Sequence, residues 1–381
     1  MPEVLQIIAW FLLALALAGA AYQLLAAYQV RRLFGGPPAE LAEPEQAVTI
    51  LKPLHGDEPG LDGALASFLT QDYGAAVQMV LGVQDPADPA QLVVGALRRE
   101  FPDRDVVLVV DKTPHGENLK IANLINMMPQ VRHDIVLVSD SDISVEPSYL
   151  RSVVATLAAP GIGVVTCAYR GDGRLGVWSR LSAMNISYQF LPSVAVGVGL
   201  GLARPCMGST IALRRELLSA IGGFEAFADL LADDYAIGAA VRARGLGGVV
   251  APKVVTHNCS EASLAELMVH ELRWARTIRG VDPAGFFGSG VTHALPLALL
   301  GLCASEGSPA GFATLVLVLI CRVLLKRQVD QVCGATTGEV WLMPLRDVLS
   351  FAVFLGSFFV RAVNWRGAQF RVDAQGALRR I

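Results

Sequence analysis

Charge is the first scarcity in this chain. Asp, Glu, Lys and Arg make up 17% of the 381 residues, against 53% apolar, and the net charge of −3 comes without a basic tract. That removes the electrostatic footprint of a nucleic-acid-binding protein, so no nucleic-acid partner is expected. The six cysteines (Cys167, Cys206, Cys259, Cys303, Cys321 and Cys333) include no CxxC pair. Their scatter excludes a disulfide scaffold and a cysteine zinc site, and suits a reducing compartment. "HELRW" at 270–274 lacks the second histidine of HExxH because Trp274 stands in its place, which sets a metalloprotease aside. No internal repeat is visible.

The apolar excess is concentrated at the two ends. No charged residue occurs from Val4 to Val30, and a helix needs roughly 20 apolar residues to cross the bilayer core. A cleaved signal peptide is the rival reading. Against it, no basic residue precedes the segment, and the uncharged stretch exceeds a signal core. Arg31 and Arg32 follow, and the positive-inside bias puts the next part of the chain in the cytoplasm. Three more apolar stretches lie at 283–305, 307–321 and 340–360. Arg322, Lys326 and Arg327 on one side, and Arg361, Arg366 and Arg371 on the other, all prefer the cytoplasm, so the three cannot all span. One is expected to be re-entrant or interfacial: the first, which carries several Gly and Pro, or the last, which Pro344, Arg346 and Asp347 interrupt. The expected division is a membrane helix over 1–32, a linker rich in Gly, Pro and Ala over 33–46, an α/β domain over 47–262, an interfacial helix over 263–282, membrane segments over 283–363 and a basic cytoplasmic tail over 364–381.

Within the α/β domain, short β-branched runs alternate with helical patterns. "VTILK" (48–52), "VQMVLGV" (77–83), "DVVLVV" (105–110), "DIVLVSD" (134–140) and "GVVTC" (163–167) read as strands. "GALASFLTQ", "PAQLVVGALRREF" and "NLKIANLINMM" carry apolar residues at helical spacing. This alternation predicts a mainly parallel sheet covered by helices on both faces, with ligands beyond the carboxyl ends of the strands.

Four features stand where such a ligand would sit. Asp140 and Asp142 follow the fourth strand, and two carboxylates there can share Mg2+ or Mn2+ with substrate phosphate oxygens; the pair also reads as a solvated turn or a helix cap at Asp142. Asp85, after the second strand in "GVQDPADP", can accept hydrogen bonds from a nucleotide base or ribose, or simply form a turn. Asp233 and Asp234 open an amphipathic helix, where acids are favourable in any case. "HELRWARTIRG" (270–280) precedes an apolar stretch and also suits a membrane-surface anchor.

The order and flanks of these features resemble the ceramide glucosyltransferases and the related bacterial hopanoid-associated glycosyltransferases, membrane members of the family 2-like group with the GT-A fold. The family pattern of a first Asp, a second Asp motif, a third Asp and (Q/R)xxRW falls on Asp85, Asp140, Asp234 and Arg273-Trp274. "ILKPLHGDEPGL" (50–61), "LTQDY" (69–73), "NLKIANL" (118–124), "IALRRELLSAIGGF" (211–224) and "ADDYAIG" (232–238) match as well. Two departures are His270 at the first position of the last element, where its N–H can still donate to an anionic oxygen, and a full Asp-Ser-Asp in the second motif.

The resemblance implies a GT-A domain that transfers a hexose or N-acetylhexosamine, with inversion, from a UDP-sugar to a lipid hydroxyl at the cytoplasmic face of a bacterial inner membrane. Asp140 and Asp142 would hold Mg2+ or Mn2+, Asp234 would be the general base, and Arg273 and His270 would meet the diphosphate. Trp274 would stack on sugar or acceptor. Asp85 would hold the uridine with backbone near Lys52 and Pro53, and Lys120 would contribute or remain a solvated helix lysine. The favoured acceptor is a hopanoid polyol, bacteriohopanetetrol, with N-acetylglucosamine. Ceramide with glucose, then a polyprenyl phosphate or diacylglycerol, are alternatives, and a catalytically silent nucleotide-sugar binding protein is the alternative of a different class.

Overall fold

The computed structural model describes residues 3–36 and 46–359, and the backbone of 362–365, 368–372 and 378–380. Eight strands form one sheet: β1 Val48–Pro53, β2 Val77–Val83, β3 Asp105–Val110, β4 Ile135–Val138, β5 Ile143–Ser144, β6 Ile162–Gly173, β7 Ile211–Arg214 and β8 Gly247–Cys259. Their order is β3-β2-β1-β4-β7-β6-β8-β5. β1 to β4, β6 and β8 run in one direction; β7, between β4 and β6, and β5, beside β8, run against them. The sheet is therefore mainly parallel, as the alternation predicts. β4 stops at Val138 and β6 runs on to Gly173, while β5, β7 and β8 have no counterpart in the sequence reading.

Burial on both faces explains why the strands read as continuous apolar runs. Side chains alternate: Ile50, Met79, Leu81, Ile135 and Leu137 enter one core with the helices Leu61–Leu69, Ala90–Glu100 and Tyr149–Leu157. Leu51, Val80, Val136 and Val138 enter the other, with Leu119–Met127 and Asp233–Ala243.

Among the described residues three helices are long and apolar enough to cross a membrane: Glu3–Phe34, Pro309–Cys333 and Val340–Ser357. The first stretch after Asp282 is the broken one. Pro283–Thr292 and Ala294–Ala304 meet at 61°, and the 11 residues of the second limb extend only about 16 Å at 1.5 Å per residue, roughly half the hydrocarbon core. Small residues let it lie close to the first helix: a Cβ added at Gly19 would stand 2.6 Å from that of Ala294.

Arg322 and Lys326 do not mark the end of an apolar stretch. The helix continues through them to Cys333, and both are buried. Arg322 Nε donates to Asp347 Oδ2 at 2.9 Å and Lys326 Nζ to Asp330 Oδ2 at 2.6 Å. Likewise Arg346, fully buried, makes a two-pronged pair with Glu271, 2.8 Å on each prong. The charges that interrupt these stretches are thus neutralised inside the protein. The expected linker begins inside a helix, since Leu33 and Phe34 close Glu3–Phe34, and its 37–45 portion lies outside the described residues. From the last two residues of the expected membrane segments into the expected tail, the backbone of Ala362–Trp365, Ala368–Val372 and Leu378–Arg380 pairs as an antiparallel sheet; Arg361 and Arg366 lie outside the described residues.

Candidate active site

The carboxyl ends of β1, β4, β6 and β8 share an edge, and because β7 is antiparallel, the loop that enters it opens at the same edge. A cleft of about 350 Å3 lies there, lined by Asp140, Asp142, Gly208, Asp234, His257 and Trp274 among others. Pro53, Lys120, His270 and Arg273 also line it. The structure therefore brings together the second Asp motif, the third Asp and the HxxRW element, three features up to 134 residues apart in the chain.

Each wall has a local cause. Lys52 is fully buried beneath the Asp motif; its ammonium lies over the Phe68 ring and donates to the carbonyls of Asp140 (2.7 Å) and Ile143 (3.3 Å). It braces the loop after β4, and its side chain does not reach the cleft. Burial lowers its pKa to about 7, against the pull of Asp142, Asp140 and Glu58. Asn118 caps the Leu119–Met127 helix by accepting from the N–H of Lys120 and Ile121, and its amide donates to Asp233 Oδ1 at 3.3 Å. The cap fixes Lys120, whose Nζ pairs with Asp140 Oδ1 at 2.7 Å and lies 3.5 Å from Asp233 Oδ2. Lys120 is no solvated lysine: burial opposes its charge, but Asp140, Asp233 and Asp234 outweigh burial and raise its pKa.

Asp234 and Asp140 flank one glycine. Gly208 N–H donates to Asp234 Oδ2 at 3.0 Å, Gly208 O accepts from Asp140 N–H at 3.2 Å, and a Cβ at position 208 would stand 2.6 Å from Asp140 Oδ2. Asp233 is the buried member of its pair. Burial, then the neighbouring Asp233 charge, lift the Asp234 carboxyl to about 6.

His257, absent from the sequence reading, joins this site through strand register. β5 and β8 pair Ile143 with His257, which puts His257 Nε2 3.1 Å from Asp142 Oδ2. Burial pushes the Asp142 carboxyl up, but His257, Lys52 and His270 outweigh it and hold its pKa at about 2. The same pair raises the pKa of His257 despite its burial. The only sequence signal for this residue was "VVTHNC", a β-branched run ending in a polar residue, as "VLVSD" does.

The fourth wall is the Leu264–Val281 helix. Ser263 caps it by accepting from Glu266 N–H at 3.2 Å, and Glu266 accepts in return from Ala262 N–H at 2.9 Å. Helical spacing then divides its residues. His270, Arg273, Trp274 and Thr277 fall on one face and line the cleft, whereas Leu267, Glu271 and Ala275 are buried on another, where Glu271 meets Arg346. Trp274 is held edge-on against His270 (4.4 Å between centroids) and His257 (5.7 Å).

Asp85 lies apart. It is exposed after β2, outside the lining of the cleft, and its Oδ1 accepts from Ala87 N–H at 2.8 Å, a turn geometry. Asp88 is the buried acid there, accepting from Gly56 N–H at 3.0 Å.

Among the described residues no group of three His, Cys, Asp or Glu is placed to hold a metal ion. Asp142 Oδ1 is nevertheless buried without a hydrogen-bond partner, and with Asp140 on the same loop it offers the hard oxygens that a Mg2+ or Mn2+ ion shares with substrate phosphates. The donor set fits such an ion.

Known proteins resemble this chain in sequence and in fold. Ceramide glucosyltransferase 1 of Caenorhabditis elegans is 24% identical over 342 residues, covering 87% of this chain and 73% of that protein. Ceramide glucosyltransferase 3 of the same organism is 25% identical over 239 residues, 60% of this chain and half of that protein. The ceramide glucosyltransferase of Gibberella zeae is 30% identical over 145 residues, 35% of this chain and 28% of that protein. A mannosyltransferase from Pyrobaculum calidifontis, solved with GDP-Man and Mn2+, superposes with a TM-score of 0.51 at 20% identity, covering 91% of this chain and 99% of its own, and shows that the fold is GT-A. The model of glycosyl transferase family 21 matches residues 11–378, and the chain belongs to that family of glycosyltransferases.

Proposed function

We propose that this enzyme transfers a hexose or N-acetylhexosamine from a UDP-sugar to a hydroxyl of a membrane lipid, with inversion at the anomeric carbon. One observation carries the reading: the helix whose cleft-facing side presents Arg273 and Trp274 is locked on its other side to an apolar helix through Glu271 and Arg346. A cleft built in this way stands beside the membrane segments, where a lipid hydroxyl is within reach and bulk water is not the only acceptor.

Asp234, half-ionised near pH 6 and ionised at neutral pH, takes the proton of the acceptor hydroxyl. Arg273 meets the diphosphate charge, and Trp274 supplies an aromatic wall for sugar or acceptor. Lys120 holds Asp140 in place, and the uridine lies along the backbone near Lys52 and Pro53, toward Asp85, which stands outside the cleft at the end of the neighbouring strand β2. Asp140 and Asp142 would hold a divalent cation, which would supply neutralisation of the charge that develops on the departing diphosphate. One base and no second carboxylate in the role of nucleophile make a single displacement the simplest scheme, which gives a β-linked product from an α-linked donor.

The acceptor and sugar we favour are a hopanoid polyol and N-acetylglucosamine, on the full Asp-Ser-Asp motif and the phrases around it. The C. elegans relative over 87% of the chain supports a second reading, glucose to ceramide. Arg31 and Arg32, exposed at the end of the first helix, support a cytoplasmic catalytic domain on a bacterial inner membrane. The test is mass spectrometry of lipids formed by the purified full chain in vesicles that hold either bacteriohopanetetrol or ceramide, given UDP-N-acetylglucosamine or UDP-glucose. A glycolipid in one combination names both substrates. No product in any, from protein that binds UDP, would favour the silent binding protein.

A further inference from the structure

The departure of His270 from the family's Gln or Arg has a consequence in the geometry around it. His270 Nδ1 lies 2.5 Å from Glu261 Oε1, and Ser182 Oγ donates to the same oxygen at 3.0 Å. Glu261 is buried, and its Oε1 takes both contacts while Oε2 has no partner; a carboxylate can only accept, so the ring presents its N–H there. The ring also lines the cleft, edge-on to Trp274. The nitrogen left for a ligand is therefore Nε2, which in the neutral ring carries a lone pair and no proton.

A diphosphate needs donors, and this nitrogen offers none. We propose that His270 accepts a hydrogen bond from a substrate hydroxyl through Nε2, and that Glu261 is the positioning residue that fixes the tautomer. The inference deepens the proposed glycosyl transfer and rests on it. Its logic is that of other imidazoles whose second nitrogen is pinned by a carboxylate, where the partner sets which ring nitrogen is free. The charged groups facing the ring favour the neutral form: burial and the cations Arg273 and His257 lower its pKa, against the upward pull of Glu261. The hydroxyl belongs to the donor sugar or to the lipid acceptor, and both have the same chemistry at this nitrogen.

The experiment uses the full chain in nanodiscs, with UDP alone as the binding probe and the UDP-sugar and lipid that give product as the turnover probe. In His270→Ala, UDP affinity is expected to stay within about twofold while transfer falls about tenfold or more. His270→Arg, which restores a donor, is expected not to recover transfer. Glu261→Gln, which no longer fixes the tautomer, is expected to lose about tenfold in transfer with UDP binding kept. Retained UDP binding shows in each case that the variant is folded. Loss of acceptor-free hydrolysis of the UDP-sugar along with transfer would assign the sugar hydroxyl; hydrolysis kept while transfer falls would assign the acceptor hydroxyl. UDP affinity that falls about tenfold in His270→Ala and returns in His270→Arg would make the residue a diphosphate donor and overturn the inference. A wild-type chain that binds no UDP and forms no product would instead remove the proposed function, and this inference with it.

Discussion

Two clusters of charge lie on opposite sides of one helix, and they are built to opposite rules. On the side of the apolar helices, Arg346 and Glu271 are 1% and 3% exposed and bonded on both prongs, and Arg322 and Asp347 are 5% and 8% exposed and likewise closed on each other. In the cleft, Asp140 and Asp142 keep 37% and 36% of their side-chain surface, and one oxygen of Asp142 has no partner. A carboxylate whose every oxygen is answered by a buried cation holds the structure together. A charge left partly unanswered at the end of a sheet is available to a ligand. The Leu264–Val281 helix joins the two systems, so the anchoring pair fixes the orientation from which Arg273 and Trp274 face the cleft.

The comparison breaks most sharply on the anchored side. Arg346→Met leaves the Glu271 carboxylate buried and uncompensated, and we expect a loss of about 3–5 kcal/mol in stability, read as thermal unfolding in detergent. Replacing both partners by Met is expected to recover most of that loss, because the penalty lies in the orphaned charge and not in the missing pair. On the cleft side the effect should be on rate. In Gly208→Ala the new methyl meets Asp140 Oδ2 at 2.6 Å, and the displaced carboxylate is expected to reduce turnover by up to about 100-fold, the cost of roughly 1 Å of misplacement, with little change in melting temperature.

A milder test uses pH. The Asp234 carboxyl, lifted to about 6 by burial and by Asp233, accepts a proton only when ionised. Activity should therefore rise with pH through about 6 and then level, falling roughly tenfold per unit below it. Asp233→Asn removes the like charge, so the acid limb of kcat/KM should move to lower pH; a limb that stays in place would mean that another group titrates.

Most of the sheet was legible because β1, β2 and β4, covered on both faces, are mainly apolar runs, and β3, half-buried at the edge, is nearly all Val and Leu. The Asp pair was legible for the same reason: it stands where such a run stops. β7 is only four residues long, and β8 contains Pro252 in its interior, so neither carries a clean pattern. His257, Gly208 and Glu261 could not be found from the sequence because their neighbours are set by pairing and packing. His257 meets Asp142 through the register of β5 on β8, and Glu261 meets His270 through a turn before a helix. The charges of the apolar stretches were visible, but not their partners. Arg346 and Asp347 read as interruptions of the last apolar stretch, and their pairing with Glu271 and Arg322 is set by packing that the sequence does not display.

Turnover and melting temperature measured side by side on purified Asp234→Asn test the account most directly. The substitution keeps the shape and removes the base, so transfer should fall by about 10²–10⁴-fold while the protein unfolds at the wild-type temperature or slightly above it. Transfer retained at the wild-type rate would contradict the account, because the one carboxylate it makes the base would then take no part in the reaction.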